Sequence, residues 1–334
     1  MPTTTTSVHL AQRPTGLPVE ETWEIRHTEL PDELEEGQFL VAVDYISLDP
    51  AMRGWLNDVR SYIRPVQVGE LMRANATGKV TASRHPDFSE GQAVAGPFGV
   101  TEHAISDGTG VTAIDTQLAA PPTWLGALGM PGHTAYFGLQ DVGELKSGDT
   151  VLISGAAGAV GSVAGQLAKA QGCTVIGVAG GTEKCQWLEE IGFDAAVDYK
   201  SDNVLKKLRE IAPDGINVFF DNVGGEILDA GLANLRRGAR VVICGAISSY
   251  NETSLPPGPS RYLSLLVFRA KMQGFVVFDY ADRYPEAVEK VGEHISNGTL
   301  TARETVLEGG VTAFNEALQG LFKGVNTGKL VLKV

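Results

Sequence analysis

Three glycines, Gly155, Gly158 and Gly161, separate a short apolar run, Val151-Leu152-Ile153, from a stretch in which Val163, Leu167 and Ala168 recur at helical spacing. A strand that turns on glycines into a helix is built to hold a pyrophosphate. One glycine permits the tight turn, one lets the backbone approach the phosphates, and one lets the helix pack closely, while unpaired N–H groups at the helix start face the anion. The implied chemistry is dinucleotide binding; a tight corner with no ligand is the alternative that glycines alone leave open. NAD sites usually place Asp or Glu about 20 residues past the glycines, at the tip of the second strand. Here that tip reads Ala179-Gly180-Gly181-Thr182. No carboxylate would repel a 2′-phosphate and Lys184 would attract one, so NADP(H) is expected over NAD(H). Against this, Lys184 could be a solvated residue in a helix's first turn, and Glu183 beside it opposes the preference.

The elements that must position these residues follow the same alternation. Strands are expected at residues 174–178, 195–199, 217–221 and 239–244, with helices over 183–191, 204–211 and 226–235 between them. This is the pattern of an α/β doubly wound parallel sheet, with its ligand crevice at the C-terminal ends of the strands. The first third differs. Residues 39–45 alternate apolar and polar, Gly and Pro recur, and no long helical period occurs before residues 124–140, so a mostly β domain is expected there. The closing Lys329-Leu330-Val331-Leu332-Lys333-Val334 reads as a strand that returns to it. Residues 1–125 and 301–334 would then form one discontinuous domain, and residues 126–300 the Rossmann domain that binds the cofactor.

Composition narrows the function classes. The 334 residues, 43% hydrophobic, are enough for two sizeable cores. A net charge of −13 with no dense Lys/Arg run argues against a nucleic-acid partner. Cys173, Cys185 and Cys244 have no paired spacing and suggest reduced thiols in a cytoplasmic protein. The N-terminal residues lack the pattern of a signal peptide, and the most apolar later run, residues 263–278, is broken by Arg269 and Lys271, so no membrane span is expected. Asn-x-Thr triplets at Asn75, Asn251 and Asn297 would matter only in a secreted protein. No cysteine precedes Cys173 and the six histidines are scattered, so no metal is expected. The Tyr-x-x-x-Lys pair of short-chain dehydrogenases is absent.

With these residues placed, the chain resembles the zinc-independent medium-chain dehydrogenase/reductases, in the leukotriene B4 dehydrogenase/prostaglandin reductase group that includes bacterial curcumin reductases and plant alkenal double-bond reductases. The resemblance rests on Ser47-Leu48-Asp49-Pro50, on Leu128-Gly129-Met130-Pro131-Gly132 with Thr134-Ala135-Tyr136, and on the glycine turn. It continues through Asp221-Asn222-Val223-Gly224-Gly225, Cys244-Gly245-Ala246-Ile247-Ser248-Ser249-Tyr250-Asn251, Gly274-Phe275-Val276-Val277, and Asn326 with Gly328-Lys329. It implies a GroES-like catalytic domain beside the Rossmann domain, and NADPH-dependent reduction of carbon–carbon double bonds conjugated to a carbonyl. It further implies that the backbone at Gly158, Ala159, Val160 and Gly161 meets the pyrophosphate and that Lys184 and Tyr199 serve the 2′-phosphate. Met130, Thr134, Asn222, Cys244, Gly245, Ala246, Ile247, Ser248, Tyr250, a strand with Phe275, Val276 and Val277, and Asn326 would complete the cofactor site.

The chemistry of an enone then asks for a donor. Hydride addition at the β-carbon builds negative charge on the carbonyl oxygen, and Tyr250 is the expected donor to it, directly or with the cofactor's ribose hydroxyl. A tyrosine packing a Pro-rich loop is the plainer reading. Relatives often carry tyrosine where this chain has Ala51, so Tyr62 and Trp55 are the candidates for the substrate pocket, with the loop 255–259 as its lid; their aromatic and proline content fits plain surface structure equally well. A quinone oxidoreductase of the same superfamily and a non-catalytic NADPH-binding protein are the alternatives. The small-molecule partner is an enone or enal. The resemblance further implies a homodimer joined through residues 272–278 at a sheet edge; an internal buried strand is the alternative.

Overall fold

The structure, a computed structural model, describes residues 4–334, which form two compact units. One takes in the described residues up to Leu125 together with Glu304–Val334; the other is Gly126–Arg303.

In the first unit the strand Phe39–Ser47 is central. It pairs antiparallel with Ala76–Ser83, His103–Ser106 and Lys329–Lys333, and Lys329–Lys333 pairs parallel with Glu304–Leu307. Ala93–Gly96 and Thr112–Ala113 extend the sheet. The C-terminal strand is therefore built into the sheet of the N-terminal segment. Alternation sets the core: Phe39, Val41 and Val43 point inward against Leu330, Leu332 and the helix Phe314–Lys323, which contributes Phe314 and Leu318.

The second unit holds a six-stranded parallel sheet in the order Ala195–Asp198, Thr174–Ala179, Thr150–Ser154, Ile216–Asp221, Leu235–Ile243, Lys271–Gly274. Numbered along the chain this is 3-2-1-4-5-6, the doubly wound order whose direction reverses beside the first strand and opens a crevice there. Val151, Leu152 and Ile153 are wholly buried, as both faces of a parallel sheet require. The helices Ala159–Ala170, Thr182–Glu190, Val204–Ile211 and Gly225–Leu232 connect the strands.

Some sequence expectations change. The strand placed over Phe275, Val276 and Val277 ends at Gly274, the last residue in register with Ile243; beyond it a 3-10 turn, Val277–Arg283, leads into the helix Tyr284–Ser296. Residues 301–303, assigned from sequence to the returning segment, group with the second unit. Thr301 N–H donates to Gln166 Oε1 at 2.7 Å, Gln166 Nε2 donates to Thr301 O at 3.1 Å, and the Arg303 guanidinium lies 5.4 Å from the Trp187 ring centroid.

His133, in the helix Met130–Phe137, is a buried ring stacked on Tyr284 with centroids 4.4 Å apart and no hydrogen bond to either nitrogen. Burial pulls its pKa down to about 4, against which the nearby Leu128 backbone acts weakly. The folded state thus favours the neutral ring. Stability from this site is full above the unfolded value of about 6.5 and drains away as pH falls toward 4. His133→Phe should lose less stability than the parent between pH 7 and 5 in denaturant titrations. Parallel losses would contradict this.

Candidate active site

The glycine turn divides its tasks by geometry. Gly155 has φ +57, a left-handed conformation that glycine adopts without strain. A Cβ on Gly161 would sit 2.5 Å from the Gly155 carbonyl oxygen and 2.7 Å from Ala156 Cα, so the first turn of the helix can close on the loop only with hydrogen at that position. Gly158, with φ −86, is the most permissive of the three. It is also the N-cap of Ala159–Ala170 and offers no side chain to the helix start, so the N–H groups of Ala159, Val160 and Gly161 are left for an anion.

A buried carboxylate organises the neighbouring strand end. Ser154 Oγ donates to Asp221 Oδ1 at 2.6 Å and itself accepts from Asn222 N at 2.8 Å. Val223 N and Gly224 N donate to the same carboxylate at 3.2 and 3.0 Å. Burial raises the Asp221 pKa, opposed by these donors. Asn222 Nδ2 donates to Ser154 O at 2.7 Å, which ties the fourth strand's tip to the first, beside the glycine turn. The quoted Asp-Asn-Val-Gly-Gly motif is thereby explained: Asp221 shapes the loop, and Asn222 stands at its front. Ser154 was not read as a site residue; no local pattern marks a hydroxyl whose partner lies 67 residues away.

The next loop folds onto that one. Cys244 N donates to Asp221 O at 2.9 Å, Ile247 N to Asn222 O at 3.2 Å, and Ser248 Oγ to Val223 O at 2.6 Å. Burial pushes the Cys244 thiol up to about 12, with Asp221 adding to the shift, so it stays protonated. Tyr250 follows the 3-10 turn Ile247–Ser249 and bends back, so that its Oη accepts from Ala246 N at 3.2 Å. A Cβ on Gly245 would lie 3.0 Å from that oxygen, which explains the glycine. With its oxygen held by an N–H, the phenol's proton is its donating group.

At the far side of the sheet, Tyr199 stands just past the strand Ala195–Asp198, half exposed. A Cβ on Gly180 would come within 2.8 Å of its ring and hydroxyl, so Gly180 is what lets the ring lie across the second strand's tip. Lys184 is in the first turn of Thr182–Glu190; burial lowers its pKa, and the charge of Lys200 lowers it further. Met130 and Thr134 lie in one helix, with Thr134 Oγ1 donating to Met130 O at 2.8 Å.

Three candidates belong to the first unit. Asn326 is buried and its Nδ2 donates to Gly328 O at 2.7 Å. The adjacent Lys329 Nζ donates to Leu48 O at 2.8 Å and pairs with Asp49 Oδ1 at 2.6 Å, while Ser47 Oγ donates to the other Asp49 oxygen. The Ser-Leu-Asp-Pro and Gly-Lys motifs are thus two halves of one buried network. Trp55 ends the helix Ala51–Trp55 under the Arg73 guanidinium, 5.4 Å from its ring centroid, and Tyr62 is exposed on the following loop.

Comparison with known proteins places this arrangement. The chain is 40% identical over 331 residues to the NADPH-dependent curcumin reductase of Escherichia coli (strain K12), covering 97% of this chain and 95% of that protein. It is 39% identical over 328 residues to prostaglandin reductase 1 of Bos taurus, with 95% of each covered. The chain belongs to the zinc-independent medium-chain dehydrogenase/reductases, in the curcumin and prostaglandin reductase group. The crystal structure of CurA from Vibrio vulnificus in complex with NADPH superposes on this member with a TM-score of 0.92 at 40% identity, covering 98% and 99% of the two chains. Two family models match it, one described as the N-terminal domain of oxidoreductase over residues 6–114 and one as zinc-binding dehydrogenase over residues 159–293. Among the described residues of this reductase-family chain, no group of three or more His, Cys, Asp or Glu side chains is arranged to hold a metal ion.

Proposed function

We propose that this protein is an NADPH-dependent reductase of the carbon–carbon double bond of α,β-unsaturated ketones and aldehydes. The observation that carries the reading is the placement of a phenol donor, Tyr250, on the same C-terminal edge of the parallel sheet as an uncapped glycine turn. The residues fit the cofactor: Gly161 leaves no room for a side chain where the helix closes on the loop, and the helix start is open to a pyrophosphate. When bound, NADPH supplies the hydride that adds to the β-carbon. The backbone from Gly158 to Gly161 binds the pyrophosphate, Lys184 and Tyr199 take the 2′-phosphate, and Met130, Thr134, the loops of Asn222 and residues 244–250, and residues 275–277 complete the cofactor site within this unit. Tyr250 donates toward the carbonyl oxygen as the enolate forms. NADPH oxidation measured on matched enones and quinones tests the reading. Enone turnover is expected; turnover of quinones alone would make it a quinone oxidoreductase, and tight cofactor binding without turnover a non-catalytic protein.

The protein acts as a homodimer in the cytoplasm. Among the described residues the edge strand Lys271–Gly274 pairs on one side only, with all four residues exposed, and Leu263, Leu266 (74% exposed), Val267 and Phe278, near it in the chain, are exposed apolar side chains. A second copy related by a two-fold axis would cover them. The three cysteines, all unpaired, fit a reducing compartment. No helix among the described residues is long and apolar enough to cross a membrane. Sedimentation should give a dimer for the parent and a monomer for the Leu266→Glu, Val267→Glu double variant; a monomeric parent would end this part of the proposal.

A further inference from the structure

The adenine end of the cofactor crevice contains a latch between the second and third strands. Tyr199 N donates to Ala179 O at 3.1 Å. One oxygen of Asp198 accepts from Gly181 N at 2.8 Å and from Lys200 N at 3.0 Å. These backbone donors, the Ser201 side chain and the charge of Lys200 hold the Asp198 carboxyl below its ordinary range, so it is a fixed anion. Its position is informative. A carboxylate at the tip of the second strand would meet the ribose hydroxyls; this one stands a strand away, turned to backbone N–H groups.

The latch decides where cations stand. Gly181 is the N-cap of the helix that carries Lys184, and Lys200 is the second residue past the third strand; tying both to one oxygen brings the two lysines to the same corner. Their charges interact, as the effect of Lys200 on Lys184 records. Lys200 Nζ makes no ion pair among the described residues, although Asp198 and Asp202 lie two residues away on either side, whereas nearby Lys206 and Lys207 both pair with Glu210. Two ammonium groups brought together repel each other. In a protein of net charge −13, that repulsion is relieved by a ligand carrying two negative charges.

We propose that Lys200 is a second phosphate-binding cation at the 2′-phosphate end of the cofactor site, and that Asp198 is the positioning residue that sets it beside Lys184. The proposal rests on the NADPH reading and extends it to residues that neither the glycine motif nor the missing acidic residue points to. Lys184, partly buried, forms the floor of the subsite. Lys200 is exposed and closes over the phosphate from the solvent side, next in the chain to Tyr199, whose ring is held against Gly180.

Calorimetric binding of 2′,5′-ADP and 5′-AMP to the full protein tests this without turnover, since the two fragments differ only in the 2′-phosphate. The parent should bind 2′,5′-ADP more tightly. Lys200→Ala should weaken 2′,5′-ADP about tenfold, the lower end for a charged hydrogen bond because the site is exposed, and leave 5′-AMP unchanged. Lys200→Arg should restore most of the loss, and Lys207→Ala, a nearby exposed lysine, should have no effect. Asp198→Ala should also weaken 2′,5′-ADP selectively. If Lys200→Ala changes neither ligand, or both equally, the second cation is refuted. If only Lys184→Ala is selective, the NADPH reading stands and this proposal falls; if the parent does not distinguish the two fragments, both fall.

Discussion

Lys184→Ala is expected to weaken NADPH relative to NADH by roughly 1.5–3 kcal/mol, the range for a hydrogen bond to a charged group. The lysine sits at the corner where the second strand ends in Gly180 and Gly181 with no acidic side chain of its own to occupy a ribose. Partial burial already depresses its pKa, and a phosphate brought beside it would favour the charged form and draw the pKa back up. The interaction is therefore stronger than that of a fully solvated lysine, for which the figure would fall toward zero. NADH has no 2′-phosphate and should feel the substitution little. Dissociation constants for both cofactors, measured by fluorescence titration, decide it. Equal losses would move the 2′-phosphate away from this corner.

Tyr250→Phe should lower turnover of an enone while leaving cofactor affinity nearly unchanged. The substitution keeps the ring and removes one donor, and the lost group acts on charge that develops during reaction. Removing one donor to a developing oxyanion costs about 10²–10³-fold at the upper end; the ribose hydroxyl can share this charge, so the lower end or less is expected. The Ala246 N–H that holds the phenol oxygen at 3.2 Å loses its acceptor in the variant, so a small fall in stability should accompany the kinetic one. The chemical step must be rate-limiting for the comparison, which a kinetic isotope effect with deuterated NADPH establishes. An unchanged rate under that condition would reduce Tyr250 to a packing residue.

The parts of this molecule that were legible in its sequence are those with local periods. Val151-Leu152-Ile153 followed by spaced glycines and Val163, Leu167 and Ala168 could be read because strand and helix leave different spacings, and the helix over 204–211 was placed to the residue. The sequence starts the fifth strand at 239, after Gly238; the strand begins at Leu235, because a shift of register between Ile216 and Val218 lets the pairing continue across the turn-like Arg236-Arg237-Gly238. What the sequence hid is long-range. The Ser154–Asp221 bond joins two strand ends, Lys329 reaches Asp49 across most of the chain, and Asp198 meets Gly181 across a helix. Each is a polar pair whose members look ordinary alone. The sequence makes Tyr199 the last residue of its strand, whereas the strand ends at Asp198 and Tyr199 stands just past it; its ring can lie there because Gly180 has no side chain, which the local pattern does not reveal.

Hydride delivery to the β-carbon of a conjugated carbonyl compound leaves a label that position-resolved isotope analysis can locate. A simple enone reduced with NADPH carrying deuterium at the transferable position should give a saturated ketone labelled at the β-carbon alone, while reaction in deuterated water with ordinary NADPH should place the solvent label at the α-carbon. Deuterium found on the carbonyl carbon of an allylic alcohol, or NADPH consumed with no label in the organic product, would contradict the account.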